Sequence, residues 1–68
     1  MVYSTHLFRH LRFTIGQNIQ RLRNERKLSL HKLSNLTNIA VASLDCYEIG
    51  KNEIHLYELL KIACVLEV

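Results

Sequence analysis

Apolar residues set a helical rhythm early in the chain. Ile15, Ile19 and Leu22 recur at spacings of four and three with polar residues between them, and Leu7 and Leu11 continue the spacing of four before Ile15. Thr14 followed by Gln17 has the spacing of a capping box, and Arg26 and Lys27 suit the C-terminal end of a helix dipole. The pattern predicts a first helix over residues 14–27. Two versions of its start stay open: a separate short helix precedes it, or one long helix begins near Thr5. Gly16 disfavours the long version by roughly 1 kcal/mol relative to Ala. Ser29 is a good N-cap, and Leu30, Leu33 and Leu36 give a short second helix that Thr37 and Asn38 end. Asn38 tolerates the left-handed conformation of a helix stop. Val41, Leu44 and Tyr47, with Gly50 in the closing turn, predict a third helix over residues 41–48. After the polar loop of residues 51–53, capped by Asn52 or His55, a fourth helix over residues 56–66 is expected to turn Leu56, Leu59, Leu60, Ile62, Ala63 and Leu66 inward.

The second and third helices are separated by a few residues, Thr37 to Ala40, with apolar Ile39 inside the turn. That is the arrangement of a helix-turn-helix, which places its second helix in a major groove while the first crosses the backbone. Composition agrees with an all-α fold. The 68 residues hold no Pro and two Gly, too few turn residues for a β-sandwich. A chain this short supports one core, which divides into an arm or short helix over residues 1–13 and a helix-turn-helix domain over residues 14–68. No apolar run approaches the length of a membrane span. Cys46 and Cys64 lack zinc-ligand spacing and read as free thiols of a cytoplasmic protein.

Charge adds a partner. Residues 1–32 carry Arg9, Arg12, Arg21, Arg23, Arg26, Lys27 and Lys32 against the single acid Glu25. Residues 33–68 carry Lys51 and Lys61 against Asp45, Glu48, Glu53, Glu58 and Glu67. Such polarity points to nucleic acid or an acidic membrane surface at one end of the molecule, or to a solvated basic face. The basic start is too poor in Ser for a transit segment and has no secretory h-region. No nucleophile–base order, phosphate loop or paired-carboxylate spacing supports catalysis, so the expectation is a binding protein without enzymatic activity or cofactor. His6 and His10, one turn apart, lack a third ligand for a metal.

The string from Ile15 to Ile39, then Leu44 to Glu53 and Leu56 to Leu66, resembles the XRE family of DNA-binding domains, the phage repressor and Cro type. The resemblance covers residues 15–68. It implies an all-α, four- to five-helix, lambda-repressor-like bundle containing a helix-turn-helix, and a transcriptional regulator that binds double-stranded DNA as a homodimer. By position it implies base-edge contacts for Val41, Ala42, Asp45 and Cys46. It implies phosphate or groove-edge contacts for Leu30 and His31, for Ser43, and for Lys51 and Asn52. It also pairs Arg23 with Glu48, where a planar guanidinium holds a carboxylate bidentately. The basic side chains of Arg21, Arg26, Lys27 and Lys32 complete the expected phosphate set, Arg21 being the least favourably placed.

The chain departs from the family at the surface that reads bases. Leu30 stands where many relatives have Gln, Asn38 replaces the turn Gly, and Ala40 replaces the Ser or Thr that caps the third helix. The span from Ala40 to Cys46 contains no Arg, Lys, Asn or Gln, the side chains that read guanine and adenine edges. Thymine methyl contacts, one Ser hydroxyl and Asp45 remain. A second reading therefore stands beside the first: a protein-interaction module, antitoxin-like or a dimerisation domain, that binds a partner chain through Leu30, Leu36 and Val41. A fifth helix, which covers the core of relatives, has no counterpart before Val68. The expectation is that Leu7, Phe8 and Leu11 cover Leu59, Ile62 and Leu66, within one subunit or across a dimer.

Overall fold

A computed structural model describes the backbone of residues 5–67 and the side chains of residues 9–67. Tyr3 and the side chains of His6, Leu7 and Phe8 lie outside the described residues. Four helices make up the fold there: α1 (Thr5–Glu25), α2 (Leu30–Thr37), α3 (Val41–Glu48) and α4 (Leu56–Leu66). The molecule measures 39 × 20 × 20 Å. Its long dimension follows α1, whose 21 residues span ~31 Å at 1.5 Å per residue.

α1 is one continuous helix across residue 13. The Thr14–Gln17 capping box is not formed, and Thr14 is an exposed mid-helix residue. The preceding turns supply the carbonyls that the amides of residues 16–18 bond, so no orphan donor is left for the hydroxyl. The helix stops at Glu25, short of the expected residue 27. Lys27 adopts a left-handed conformation with φ 56°. Its amide donates to the Asn24 carbonyl at 2.9 Å and the Leu28 amide donates to the Arg23 carbonyl at 3.0 Å, the bond pair of a Schellman stop. Arg26 and Lys27 thus belong to the turn.

Gly16 is explained by packing. A Cβ there would lie 2.2 Å from the Tyr47 carbonyl oxygen and 2.6 Å from that of Glu48. Only the missing side chain lets α1 approach the end of α3 so closely. The propensity cost at this position is the condition for the α1–α3 contact.

The remaining elements follow local signals. The Ser29 hydroxyl accepts from the Lys32 amide at 3.0 Å, and Asn38 closes α2 with φ 59°. Ala40 stands at the N-cap of α3 without a side-chain bond, where a hydroxyl cap contributes about 1 kcal/mol. α3 ends in a second Schellman stop at Gly50, φ 73°, with the Lys51 amide donating to the Cys46 carbonyl at 2.9 Å. His55 occupies the N-cap position of α4, also without a side-chain bond.

The core gathers Ile19, Leu33, Ile39, Leu44, Tyr47, Ile62 and Leu66. Ile39, the apolar residue inside the turn, belongs to it. One expectation about α4 is corrected. Leu56 and Leu60 point outward, 70% and 54% exposed, because α2 and α1 cover only the stripe at Leu59, Ile62 and Leu66. Ile62 and Leu66 are each 1% exposed; the cover expected from Leu7 and Phe8 falls on side chains outside the described residues, while Leu11 lines one cavity with Leu59. No helix among the described residues is long and apolar enough to cross a membrane.

Candidate nucleic-acid interface

The orientation of α2 and α3 rests on one guanidinium. Arg23 Nε donates to Glu48 Oε2 at 2.7 Å and its Nη2 donates to Glu48 Oε1 at 3.0 Å. Its Nη1 donates to the Leu28 carbonyl at 2.7 Å. Both side chains are buried. Hydrogen bonding to Glu48 raises the Arg23 pKa further above its already high value, against the opposing effect of burial. The guanidinium therefore stays charged and ties three segments together: α1, the last turn of α3, and the turn that leads into α2. Across from it the Tyr47 hydroxyl donates to Glu58 of α4. That hydrogen bond, reinforced by burial, pushes the Tyr47 pKa up to about 12.

The α2–α3 turn is held by its own polar groups. The Thr37 hydroxyl donates to the Leu33 carbonyl at 2.7 Å, the Asn38 amide to the Ser34 carbonyl at 2.8 Å, and the Ser34 hydroxyl to the Ile39 carbonyl. With Ile39 buried beneath it, the turn has little freedom, and α3 is presented at a fixed angle. Leu44, Tyr47 and Glu48 face inward. Ala42, Asp45 and Ile49, three and four residues apart, are exposed on the opposite side, with Val41, Ser43 and Cys46 half-buried beside them.

This two-helix unit carries the family assignment. A family model described as helix-turn-helix matches residues 19–68. The chain belongs to the XRE-type helix-turn-helix family. That family is one of DNA-binding regulators, and its match spans α2, the turn, α3 and α4 together with the last third of α1. The chain matches no curated protein and no solved structure at significance.

The base-edge contacts are expected on α3. Ala42 and Asp45 are exposed; Val41 and Cys46 are half-buried at its margin. Of the expected phosphate set, Arg21, Arg26, Lys27, His31, Lys32, Lys51 and Asn52 are exposed and Ser43 is half-buried. Arg21 is drawn back along its own helix to Glu25 at 2.7 Å, and Arg26 leans toward the Leu22 carbonyl at 3.5 Å. His31, Lys32 and Ser29 sit together at the start of α2, and Lys51 and Asn52 follow the end of α3.

Leu30 is half-buried: it packs against the core as the i, i+3 neighbour of fully buried Leu33, which leaves only part of its side chain at the surface. Leu36 does face solvent, 50% exposed. It lines an open groove of about 490 Å³ with Tyr57, Leu60, Lys61 and Cys64 between α2 and α4. Lys61 lies over the Tyr57 ring at 4.6 Å there.

Two contributors escaped the sequence reading. Ile49 extends the open face of α3 by another turn, and the exposed position follows from Ala42 and Asp45 at spacings of seven and four. Arg12 reaches Glu53 at 3.8 Å, joining α1 to the loop after α3. No spacing rule links residues so far apart in sequence.

Proposed function

We propose that this protein is a transcriptional regulator that acts in the cytoplasm by occupying a DNA operator. The observation that carries this reading is the α2–turn–α3 unit of an XRE-type domain, locked by the Arg23–Glu48–Leu28 bonds and flanked by exposed cations. Phosphate contact falls to His31 and Lys32 at the start of α2, to Lys51 and Asn52 after α3, to Ser43, and to Arg26, Lys27 and Arg21 at the end of α1. Helix N-termini assist such contacts through their free amides. Base contact falls to Val41, Ala42, Asp45 and Cys46. The first two offer methyl groups to thymine, and Asp45 offers an acceptor to cytosine N4. So few polar groups leave much of the discrimination to DNA shape and deformability.

A homodimer supplies the second recognition helix that half-sites ~34 Å apart require. Its contact falls to apolar surface left open: Leu11 and Phe13 on α1, or Leu56 and Leu60 on α4.

The test is binding to random-sequence duplex DNA across a salt series. The reading expects a linear fall of log affinity with log salt, followed by enrichment of a subset of duplexes on selection. Absence of binding at low salt favours the second reading, a partner-binding module. The groove at Leu36, Tyr57 and Leu60 and the bare face of α3 support that one.

A further inference from the structure

The first half of α1 lies outside the matched span of residues 19–68, yet it is built against the recognition unit. One stripe of α1 runs through Arg9, Arg12, Phe13, Gly16 and Arg23 at helical spacings. Gly16 and Arg23 on that stripe meet the end of α3, as described above. Phe13 meets the turn that follows it: a Cβ on Gly50 would lie 2.8 Å from Phe13 Cα. Lys51, the residue after Gly50, is exposed. Arg9 is exposed too, one turn before Phe13 and so ~6 Å further along the axis. Arg12 reaches the same loop from the same stripe.

Arg12 is poorly satisfied where it stands. Its Nε is buried without a hydrogen-bond partner. Its Nη1 is 3.8 Å from Glu53 Oε1, and Glu53 itself is almost fully solvent-exposed. That separation exceeds a hydrogen bond, so the guanidinium keeps unused donors in the fork geometry that suits phosphate. Arg9 and Arg12 on this stripe and Lys51 after Gly50 are thus a loose cluster of cations carried by the two segments that meet at Phe13 and Gly50, with Glu53 as an acidic residue of the loop.

We propose that the first turns of α1 are a second DNA-backbone contact, in which Arg9 and Arg12 join Lys51 on the phosphates beside the recognition helix and Glu53 weakens the cluster's field. This rests on the DNA-binding reading above and extends it to a part of the helix that the family match does not reach. The neutralised phosphates release counterions, so each cation engaged adds about 0.9 to the salt slope.

The experiment measures duplex DNA binding across a salt series for the full chain and for Arg9→Gln, Arg12→Gln and Glu53→Gln, with a thermal melt of each. Arg9→Gln is expected to weaken binding to all duplexes alike and to reduce the slope by about 0.9. Arg12→Gln is expected to weaken binding and Glu53→Gln to tighten it. Those opposite signs distinguish the proposal from a purely structural Arg12–Glu53 contact, whose loss from either side would shift binding and melting in the same direction. Unchanged slope in Arg9→Gln, or weaker binding in Glu53→Gln, overturns the proposal while leaving the helix-turn-helix reading in place. Failure of the unaltered chain to bind DNA at low salt overturns both.

Discussion

The two halves of α1 belong to one helix and are held by different means. From Gly16 to Glu25 the helix is fixed from outside. Its backbone touches the carbonyls of α3, Arg23 spans to Glu48 and Leu28, Ile19 is in the core, and a Schellman stop ends it. Over residues 9–15 the hold is looser, although Ile15 packs against the core and the Phe13 backbone meets Gly50. The described side chains there include exposed Leu11 and Phe13 and a loose contact from Arg12 to Glu53. Helical pattern alone does not distinguish the halves, because both repeat at three and four. The difference lies in what each side chain meets, and it sets a tightly fixed second half against a first half in which Arg9, Leu11 and Phe13 are exposed.

Substitutions sharpen that division. The largest effect is expected at the buried ion pair. Arg23→Met leaves Glu48 charged and buried and should cost about 3–5 kcal/mol, whereas the double variant Arg23→Met, Glu48→Leu should recover much of the loss. Urea unfolding of the single and double variants measures this. A single variant as stable as the parent would remove the basis for calling the second half fixed.

Gly16→Ala follows. The added carbon overlaps backbone oxygens, which cannot rotate away as a side chain does. α1 must move off α3, at a cost of about 3 kcal/mol despite the better helix propensity of Ala. Thr14→Ala, at an exposed position of the same helix, should be nearly neutral. Equal stability of Gly16→Ala and Thr14→Ala in a melt would erase the contrast.

Alkaline pH tests the surface on which the second half rests. The folded protein holds the Tyr47 proton to about 12, against an ordinary value near 10. The folded state therefore binds this proton more tightly than the unfolded state does. The resulting stabilisation is complete below pH ~10 and is lost as pH rises toward ~12, on the order of 2 kcal/mol. Tyr47→Phe should lack that component, so the difference between the two stability curves should change across this window. A constant difference would mean that the Glu58 bond does not anchor Tyr47.

The smallest effect is expected in the open half. Leu11→Ala removes a side chain that is already 45% exposed and should cost under ~1 kcal/mol, whereas Ile19→Ala should cost about 3. Comparable losses at the two sites would show that Leu11 is covered, by a second copy of the chain or by residues at its start. Repeating the melts over a concentration range separates those two, since only a dimer makes the difference depend on concentration.

Residue order alone determined what short-range chemistry controls. Ser29 and Asn38 bound α2 because a hydroxyl cap and a left-handed Asn act within a single turn. The spacing of Val41, Leu44 and Tyr47 before Gly50 placed α3 and that of the Leu and Ile residues placed α4, and the shared positions of Arg23, Glu48 and their surroundings made the helix-turn-helix legible. Tertiary structure decided whatever depended on a neighbour distant in sequence. It made Thr14 a mid-helix residue, turned Leu30 inward and Leu56 and Leu60 outward, and required glycine at position 16. It also brought Arg12 to Glu53. A hydrophobic residue on a short helix has more than one face it can join, and propensity does not choose between them. The choice falls to whichever neighbouring helix closes over one stripe: α2 and α4 close chiefly on each other, while Gly16 and Arg23 bring α1 against α3.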